Sequence, residues 1–412
     1  MNEPLVSFCI PSYNRSRYLR SLLDTLVHQL AGFPHPYEIV ISDNASPDDT
    51  QAVIDAYAGD LPIRKFRQSC NVGGAANWHF AISQARGEFI VSLADDDTIL
   101  GPQTADAIAR LRSVPEAGAS FAPWLLFDVP TDRVHCQFYS HPADFVVARG
   151  DYIGLLDRVL THRIWPEIGI VRRKLLNAIM PRVPESAFYA FVHAGEYLSR
   201  NAVLFQSEPF YVSVMRHFVG DERSQTGSQE AEHAWDRYRG GLEYLLARGR
   251  QQLADGHWSD YMARIASFIG ERMAVAVRLR MHKRANPVET FYLATRAVAL
   301  GAAAALPAPL QQLRSYAALH FLTEDVELNR GRQQLVCVGH VEPEVRAVLN
   351  QSRPGRVRFD ATPGEVKALK DAVVLLCGSG ESTSWVEEHA QALAEANVQV
   401  VEQGDLMAKF GC

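Results

Sequence analysis

The sequence predicts an α/β fold, with a parallel sheet in the first hundred residues, a helical middle and a smaller α/β unit at the end. Three observations carry that expectation. Apolar runs of strand length alternate with segments of helical periodicity from residue 5 to residue 100. The links between them are short, which suits parallel strands joined by crossover helices that cover both faces. Four further apolar runs recur between residues 334 and 401, again separated by helical stretches.

Each element follows from its residues. "LVSFCIP" (5–11) reads as a buried strand that Pro11 stops, and Leu19, Leu22, Leu23, Leu26 and Leu30 then give one apolar helix face. "YEIVISD" (37–43) is a second strand. In "SPDDT" (46–50), Ser46 is expected to cap a helix, with Pro47 at its first position and Asp48 and Asp49 facing its positive end. Val53, Ile54 and Tyr57 continue that helix. A weaker strand at 63–66 leads to "NVGGAANWHFAISQARG" (71–87), a glycine-rich turn entering a helix. Phe89, Ile90, Val91 and Leu93 form the fourth strand, and Asp95, Asp96 and Asp97 follow it directly.

Composition narrows the function classes. At 412 residues the chain exceeds one ordinary core, so two or three domains are expected. Hydrophobic content of 47% with 21% charged residues is that of a folded globular chain. A formal net charge of −6 gives no electrostatic case for nucleic-acid binding. The 6 cysteines are scattered without a CxxC pair, which argues against a zinc site or disulfide framework and suits a reducing cytoplasm. The first strand begins too early for a signal peptide, and no stretch of about 20 apolar residues lacks a charge. A cytoplasmic protein is expected.

In a parallel sheet the loops at the carboxyl ends share one rim, where ligands bind. That gathers residues 11–15, 43–46, 71–77 and 94–98. Tyr13 offers a flat face for a nucleobase, and Asp43 an acceptor for a base imide or ribose hydroxyl. Asn71, Gly73 and Gly74 let a ligand approach the backbone closely. Taken singly these have plain alternatives: Tyr13 as packing, Asp43 and Asn44 as turn residues, Asp48 and Asp49 as helix-end charges. The triple aspartate is harder to explain away, because three adjacent carboxylates repel one another unless water or a cation shares the charge. Neither GxGxxG nor GxxxxGK[ST] occurs there, so the dinucleotide and triphosphate fingerprints are missing.

Taken in order, "VSFCIPSYNRSRYLRSLLDTL", "YEIVISDNASPDDT" and "NVGGAANWHFAISQARGEFIVSLADDD" resemble the nucleotide-binding half of family-2 glycosyltransferases with the GT-A fold. The closest flavour is that of bacterial surface-polysaccharide enzymes of abequosyltransferase-like type. The resemblance spans about residues 4–102 and fades through 103–220. It implies a Rossmann-like, mixed or parallel sheet within a GT-A domain, here taken as residues 1–225. Residues 226–330 read as a helical region and 331–412 as a small Rossmann-like α/β domain. By resemblance, Pro11, Tyr13 and Arg15 border the base and phosphates, Asp43 bonds the base or ribose, and Asn71 and Gly73 form the turn beside the nucleotide. Asp95–Asp97 occupy the DxD position, with Asp95 toward the ribose, Asp96 near the sugar or metal, and Asp97 on the metal. Hard oxygen ligands suit Mg²⁺ or Mn²⁺. The implied donor is a UDP-, dTDP-, CDP- or GDP-linked sugar, the acceptor a glycan or lipid-linked hydroxyl, and the transfer inverting.

An inverting transfer needs a base for the acceptor hydroxyl. The family's base lies in an ED-like motif at a helix start, and "FVHAGEYLSR" makes Glu196 the candidate, although Tyr197 stands where the usual Asp would be. A surface helix residue is the alternative, and Glu167 in "IWPEIGIVRRKLL" is the second choice. In "VSVMRHFVGDERSQTG", Arg216 or His217 is expected at the phosphate or metal. Arg278, Arg280, Lys283 and Arg284 precede an apolar stretch from Phe291 to Leu310. That raises a peripheral contact with the cytoplasmic membrane face, against a packed bundle with a solvated basic side. "CGSGES" (377–382) reads as a ligand loop or as part of an interaction module. Two other function classes stay open. A nucleotidyltransferase would show a basic, glycine-rich phosphate loop that "IPSYNRS" lacks, and a non-catalytic nucleotide-sugar or glycan binding subunit fits the Tyr197 departure.

Overall fold

A computed structural model describes residues 3–179, 185–221, 223, 226–254, 256–377 and 381–411. They fall into two compact units, one of Met1–Gln225 with Asp236–Ile265, the other of Thr226–Trp235 with Ala266–Cys412. This differs from the three-part division expected at 225 and 330. The reason is packing: Tyr238 meets Trp165 and Phe188 with ring centroids at 4.7 and 4.8 Å, and Leu242, Leu245 and Leu246 are fully buried.

The first unit opens with β1 (Val6–Ser12), α1 (Ser16–Gln29), β2 (Tyr37–Asp43), α2 (Thr50–Ala56), β3 (Ile63–Arg67), α3 (Gly74–Ser83) and β4 (Phe89–Ser92). It continues through β5 (Thr98–Ile99), α4 (Gly101–Ser113), β6 (Ala117–Phe121), β7 (Trp124–Asp128), β8 (Arg133–Gln137), β9 (Phe145–Val147) and α5 (Tyr152–His162). Then come β10 (Gly169–Arg172), α6 (Arg173–Ile179), α7 (Tyr189–Arg200), β11 (Ala202–Phe205) and β12 (Tyr211–Arg216). The main sheet has 8 strands in the order β3-β2-β1-β4-β10-β6-β11-β9, and a second sheet of 4 runs β5-β12-β7-β8.

β1 lies parallel between β2 and β4, with Val6 opposite both Tyr37 and Phe89. Burial on both faces explains its composition, since Val6, Phe8, Cys9 and Ile10 have no accessible surface. Beyond β4 the sheet is mixed, within the mixed or parallel sheet expected of the domain. β10 runs antiparallel between β4 and β6, with Ile170 opposite Val91 and Ser120. An apolar run carries no direction in its composition; the connection before it decides. Because β10 is antiparallel to β4, the residues just before Gly169 lie at the carboxyl end of β4. Because β11 is parallel to β6, and so to β4, the helix α7 that runs back to it begins near that rim and ends at the opposite one.

The helix expected from Ser46 starts later. α2 begins at Thr50 with Asp49 at the cap position, and the Asp49 side chain makes no capping bond. Ser46 serves the loop before α1 instead, and Asp48 serves both helix starts, its Oδ1 accepting from the Thr50 N–H at 3.2 Å. The Asn14 N–H donates to Ser46 Oγ at 2.9 Å, and the Ser16 N–H to Asp48 Oδ2 at 2.9 Å.

The second unit and the helices leading to it comprise α8 (Thr226–His233), α9 (Trp235–Arg248), α10 (His257–His282), α11 (Pro287–Ala299), α12 (Leu310–Glu324) and α13 (Val326–Asn329). β13 (Gln334–Gly339), α14 (Pro343–Ser352), β14 (Val357–Ala361), α15 (Pro363–Val366), β15 (Ala372–Cys377), α16 (Glu381–Glu395), β16 (Val398–Glu402) and α17 (Gln403–Ala408) follow. Their sheet is parallel throughout in the order β14-β13-β15-β16, as expected of a small Rossmann-like unit. Gly378, Ser379 and Gly380 of the "CGSGES" turn lie outside the described residues. The apolar stretch after the basic cluster faces inward, with Phe291, Ala294 and Ala297 buried. Arg280 Nε donates to Thr290 Oγ1 at 3.2 Å and Lys283 pairs with Glu232, while Arg278 and Arg284 are exposed. Among the described residues no helix is long and apolar enough to cross a membrane.

Candidate functional site

Where β1 and β4 end, Asp95 and Asp96 share Arg15 as a partner while Asp97 turns elsewhere. Ser12 Oγ, from the last residue of β1, donates to Asp95 Oδ2 at 2.7 Å. Arg15 Nη1 reaches Asp95 Oδ1 at 3.3 Å and Asp96 Oδ2 at 2.7 Å, and Arg223 Nε meets the same Asp96 oxygen at 2.9 Å. Asp97 turns toward β12, accepting from the Tyr211 hydroxyl and the Val214 N–H, both at 2.9 Å. Burial, then repulsion from Asp96, pushes the Asp95 carboxyl up to about 6 and the Asp97 carboxyl up to about 7. Two guanidinium groups do not cancel the crowding.

The neighbouring loops are knitted from the same rim. Asp43 is fully buried, and its carboxylate accepts from the Ser46 N–H at 2.9 Å and Gln51 Nε2 at 2.8 Å, with Arg67 Nε 3.6 Å away. In this arrangement Asp43 holds the loop that carries Ala45 at φ +61°, a backbone region that costs a non-glycine residue about 1 kcal/mol. Asn44 Nδ2 donates to Asn71 Oδ1 at 2.9 Å, which also accepts from the Gly73 N–H at 2.9 Å. Gly73 sits at φ +88°, where a side chain would be strained. Pro11 is half-buried, whereas Tyr13 is 43% exposed and its ring is open to a partner.

The later loop comes to the same carboxylates through residues other than those expected. Arg216 is tied to Asp128, its partner on the neighbouring strand β7, by two bonds of 2.6 and 2.8 Å. His217 Nε2 lies 2.9 Å from the Asp96 carbonyl, which requires the proton on Nε2. Arg223 also contacts Asp221 and the Val214 carbonyl, and Asp221 accepts from the Tyr18 hydroxyl and the His217 N–H, each at 2.9 Å.

The two base candidates are separated by the direction of α7. Glu196 lies about two turns past Tyr189, roughly 10 Å along the helix and away from the rim. Its carboxylate accepts from the Tyr244 hydroxyl and, at 3.3 Å, from Arg248 Nη1, whose other nitrogen contacts the Tyr152 hydroxyl. Tyr152 follows β9, whose end lies at the opposite rim because β9 is antiparallel to β11. The structure does not bring Glu196 to the aspartates. Glu167, just before β10, lies at the carboxyl end of β4, and its Oε2 accepts from the Tyr189 hydroxyl at 3.3 Å.

Residues 7–161 match the model of the family described as glycosyl transferase family 2. This segment is a family-2 glycosyltransferase domain. Relatives include abequosyltransferase RfbV of Salmonella typhimurium, 37% identical over 117 residues, which cover 28% of this chain and 34% of the relative. Another is poly(ribitol-phosphate) beta-N-acetylglucosaminyltransferase TarS of Staphylococcus aureus, 32% identical over 105 residues, 25% of this chain and 18% of the relative. The matched segment thus spans about a third or less of these relatives. Among solved structures, S. aureus TarS 1-349 in complex with UDP-GlcNAc aligns over 84% of this chain and 89% of its own at 18% identity, with a TM-score of 0.49.

The donor groups of the glycosyltransferase domain suit a hard divalent ion in chemistry. Carboxylates whose protonation is favoured by burial and by repulsion from Asp96 are relieved by such an ion. Among the described residues no three His, Cys, Asp or Glu side chains converge to hold a metal. That is no misfit, since Mg²⁺ usually takes one or two carboxylates and completes its shell with water and substrate phosphates. Asp97, expected on the metal, accepts at both oxygens from β12, and Asp96 accepts at Oδ2 from Arg15 and Arg223. Sequence reasoning missed Ser12, Tyr211 and Arg223. Ser12 stands inside the "IPSYN" block, but Tyr211 and Arg223 reach the aspartates from more than 110 residues away in the chain, and nothing local marks them.

Proposed function

We propose that the protein transfers a sugar from a nucleoside-diphosphate donor to a hydroxyl of a glycan or lipid-linked acceptor, with inversion, in surface-polysaccharide or glycoconjugate synthesis. The observation that carries this is the acidic triplet buried where the parallel strands of a family-2 domain end, with its crowding unrelieved. Tyr13 stacks on the base, the 71–73 turn follows the nucleotide, and Asp95 accepts from the ribose. Arg15 faces the diphosphate. Asp97 anchors the aspartate loop to β12, so that Asp96 is presented to Mg²⁺ or Mn²⁺. Held there, the ion would neutralise charge on the diphosphate as it leaves.

Glu167 is the base in this reading. It takes the proton from the acceptor hydroxyl, whose oxygen then bonds to the anomeric carbon on the side opposite the departing diphosphate. Its support is position: it is the carboxylate that the antiparallel β10 delivers to the rim. We expect a cytoplasmic protein whose first unit holds both donor and acceptor chemistry.

Thermal-shift measurements with UDP, GDP, CDP and dTDP, each with and without Mn²⁺, test the donor reading. One nucleotide should raise the melting temperature by several degrees at saturation, and more with Mn²⁺. No response to any of the four would sink it.

A further inference from the structure

The surroundings of Glu167 suit one kind of acceptor. Trp78 lies on the second turn of α3, and its Nε1 donates to Ser92 Oγ at 2.5 Å. That bond pins the indole at the end of β4, just before the aspartates. The His193 ring lies parallel to the indole, with 13° between planes and centroids 6.3 Å apart. Tyr189 meets the same imidazole edge-on at 5.8 Å, and its hydroxyl bonds Glu167. Trp78 and Tyr189 are half-buried, whereas His193 is 6% exposed and its Nε2 has no hydrogen-bond partner. A buried polar atom in that condition costs free energy unless a ligand group meets it. Burial, then the nearby His79, holds the His193 imidazole down at about 4, so it is neutral at pH 7 and does not compete with Glu167 for charge.

We propose that Trp78, Tyr189 and His193 wall an acceptor subsite for a pyranose ring, so that the acceptor group is a sugar and not a bare lipid phosphate or alcohol. The inference rests on Glu167 acting at this rim. A flat indole packs against the apolar C–H face of a pyranose, while the imidazole meets a hydroxyl at its edge and the Tyr189 ring adds apolar contact. The hydroxyl to be glycosylated faces Glu167. Its proton passes to that carboxylate, its oxygen bonds to the donor's anomeric carbon, and the bond from that carbon to the diphosphate breaks with the electron pair staying on the phosphate. Tyr189 acts through Glu167 as a positioning residue.

Saturation-transfer NMR on the full chain tests this with methyl glucopyranoside, methyl galactopyranoside and methyl mannopyranoside, and with glycerol 3-phosphate as the control. At least one pyranoside should receive saturation on its ring protons, and the control should not. Trp78→Ala should weaken that binding about tenfold, the size of a lost aromatic contact, and Trp78→Phe should restore most of it. His193→Gln and Tyr189→Ala give the same reading if Trp78→Ala does not fold. Tyr189→Phe should keep pyranoside binding while lowering kcat, which a purely structural role would not do. No transfer to any pyranoside, or equal transfer in Trp78→Ala, overturns the subsite while a nucleotide still raises the melting temperature. A chain that binds a pyranoside but no nucleotide keeps the subsite and removes the donor reading; one that binds neither removes both.

Discussion

The chain builds a run of parallel α/β strands twice, and the two differ in what they bury. Around β1 to β4, Ser12, Glu38, Ser42, Asp43, Asn44, Asn77, Asp95 and Asp96 are all closed to solvent. Around β13 to β16 the buried side chains are Leu335, Val336, Val338, Val373, Val374 and their like, and among the described residues none is polar or charged beyond the two thiols. Burying polar groups is unfavourable unless they are paired, so a fold that needed only a core would resemble the second sheet. Part of the first sheet's polar content is structural, as where Glu38 accepts from Ser7 and Arg64 at 2.6 and 2.8 Å. The aspartates are different, because burial and mutual repulsion still weigh on two of them after pairing. Architecture alone therefore says little about activity. The polar load at the strand ends does.

Four measurements can break or sharpen that contrast. The largest effect belongs to Asp96→Asn, which should lower turnover on the order of 100- to 1000-fold with the circular-dichroism spectrum unchanged. Near wild-type turnover would remove the aspartate rim from the chemistry and erase the difference between the sheets. Next, Glu167→Gln should cost on the order of 100-fold in kcat with donor affinity intact. Glu196→Gln should leave kcat nearly unchanged and lower stability by at most about 1 kcal/mol, as expected of a partly exposed pair. The reverse result would return the base to Glu196 and require α7 to move.

The third measurement is the pH dependence of stability. His193 is held below its usual pKa, at about 4, so its contribution is complete above the ordinary value near 6.5. It is lost as pH falls through 4. Urea unfolding from pH 7 to pH 4 should therefore show the wild type losing up to about 3 kcal/mol relative to His193→Gln. Parallel curves would mean that the imidazole is already charged in the fold. The smallest effect lies in the second sheet. Asp360 at the end of β14 pairs with Arg346 at 2.7 Å on the surface, so Asp360→Ala should leave both the urea midpoint and turnover nearly unchanged. Loss of turnover there would give the second sheet a catalytic role.

The sequence by itself determined the elements and the position of the three aspartates. Strand and helix periods are local properties, so "VSFCIPS", "YEIVISD" and "FIVS" were legible as buried strands, and the aspartates fell at the end of the last. Helix boundaries were legible less well, since Ser46 can bond any N–H within reach and the fold supplied that of Asn14. Only the tertiary structure decided how the site is completed. The direction of β10 put Glu167 and not Glu196 at the aspartate rim, β12 took up Asp97, and Arg223 came to Asp96 from 127 residues along the chain. These choices depend on strand direction and long-range pairing. A run of apolar residues fixes burial and period, but it does not record which neighbour the strand will lie beside or which way it will run.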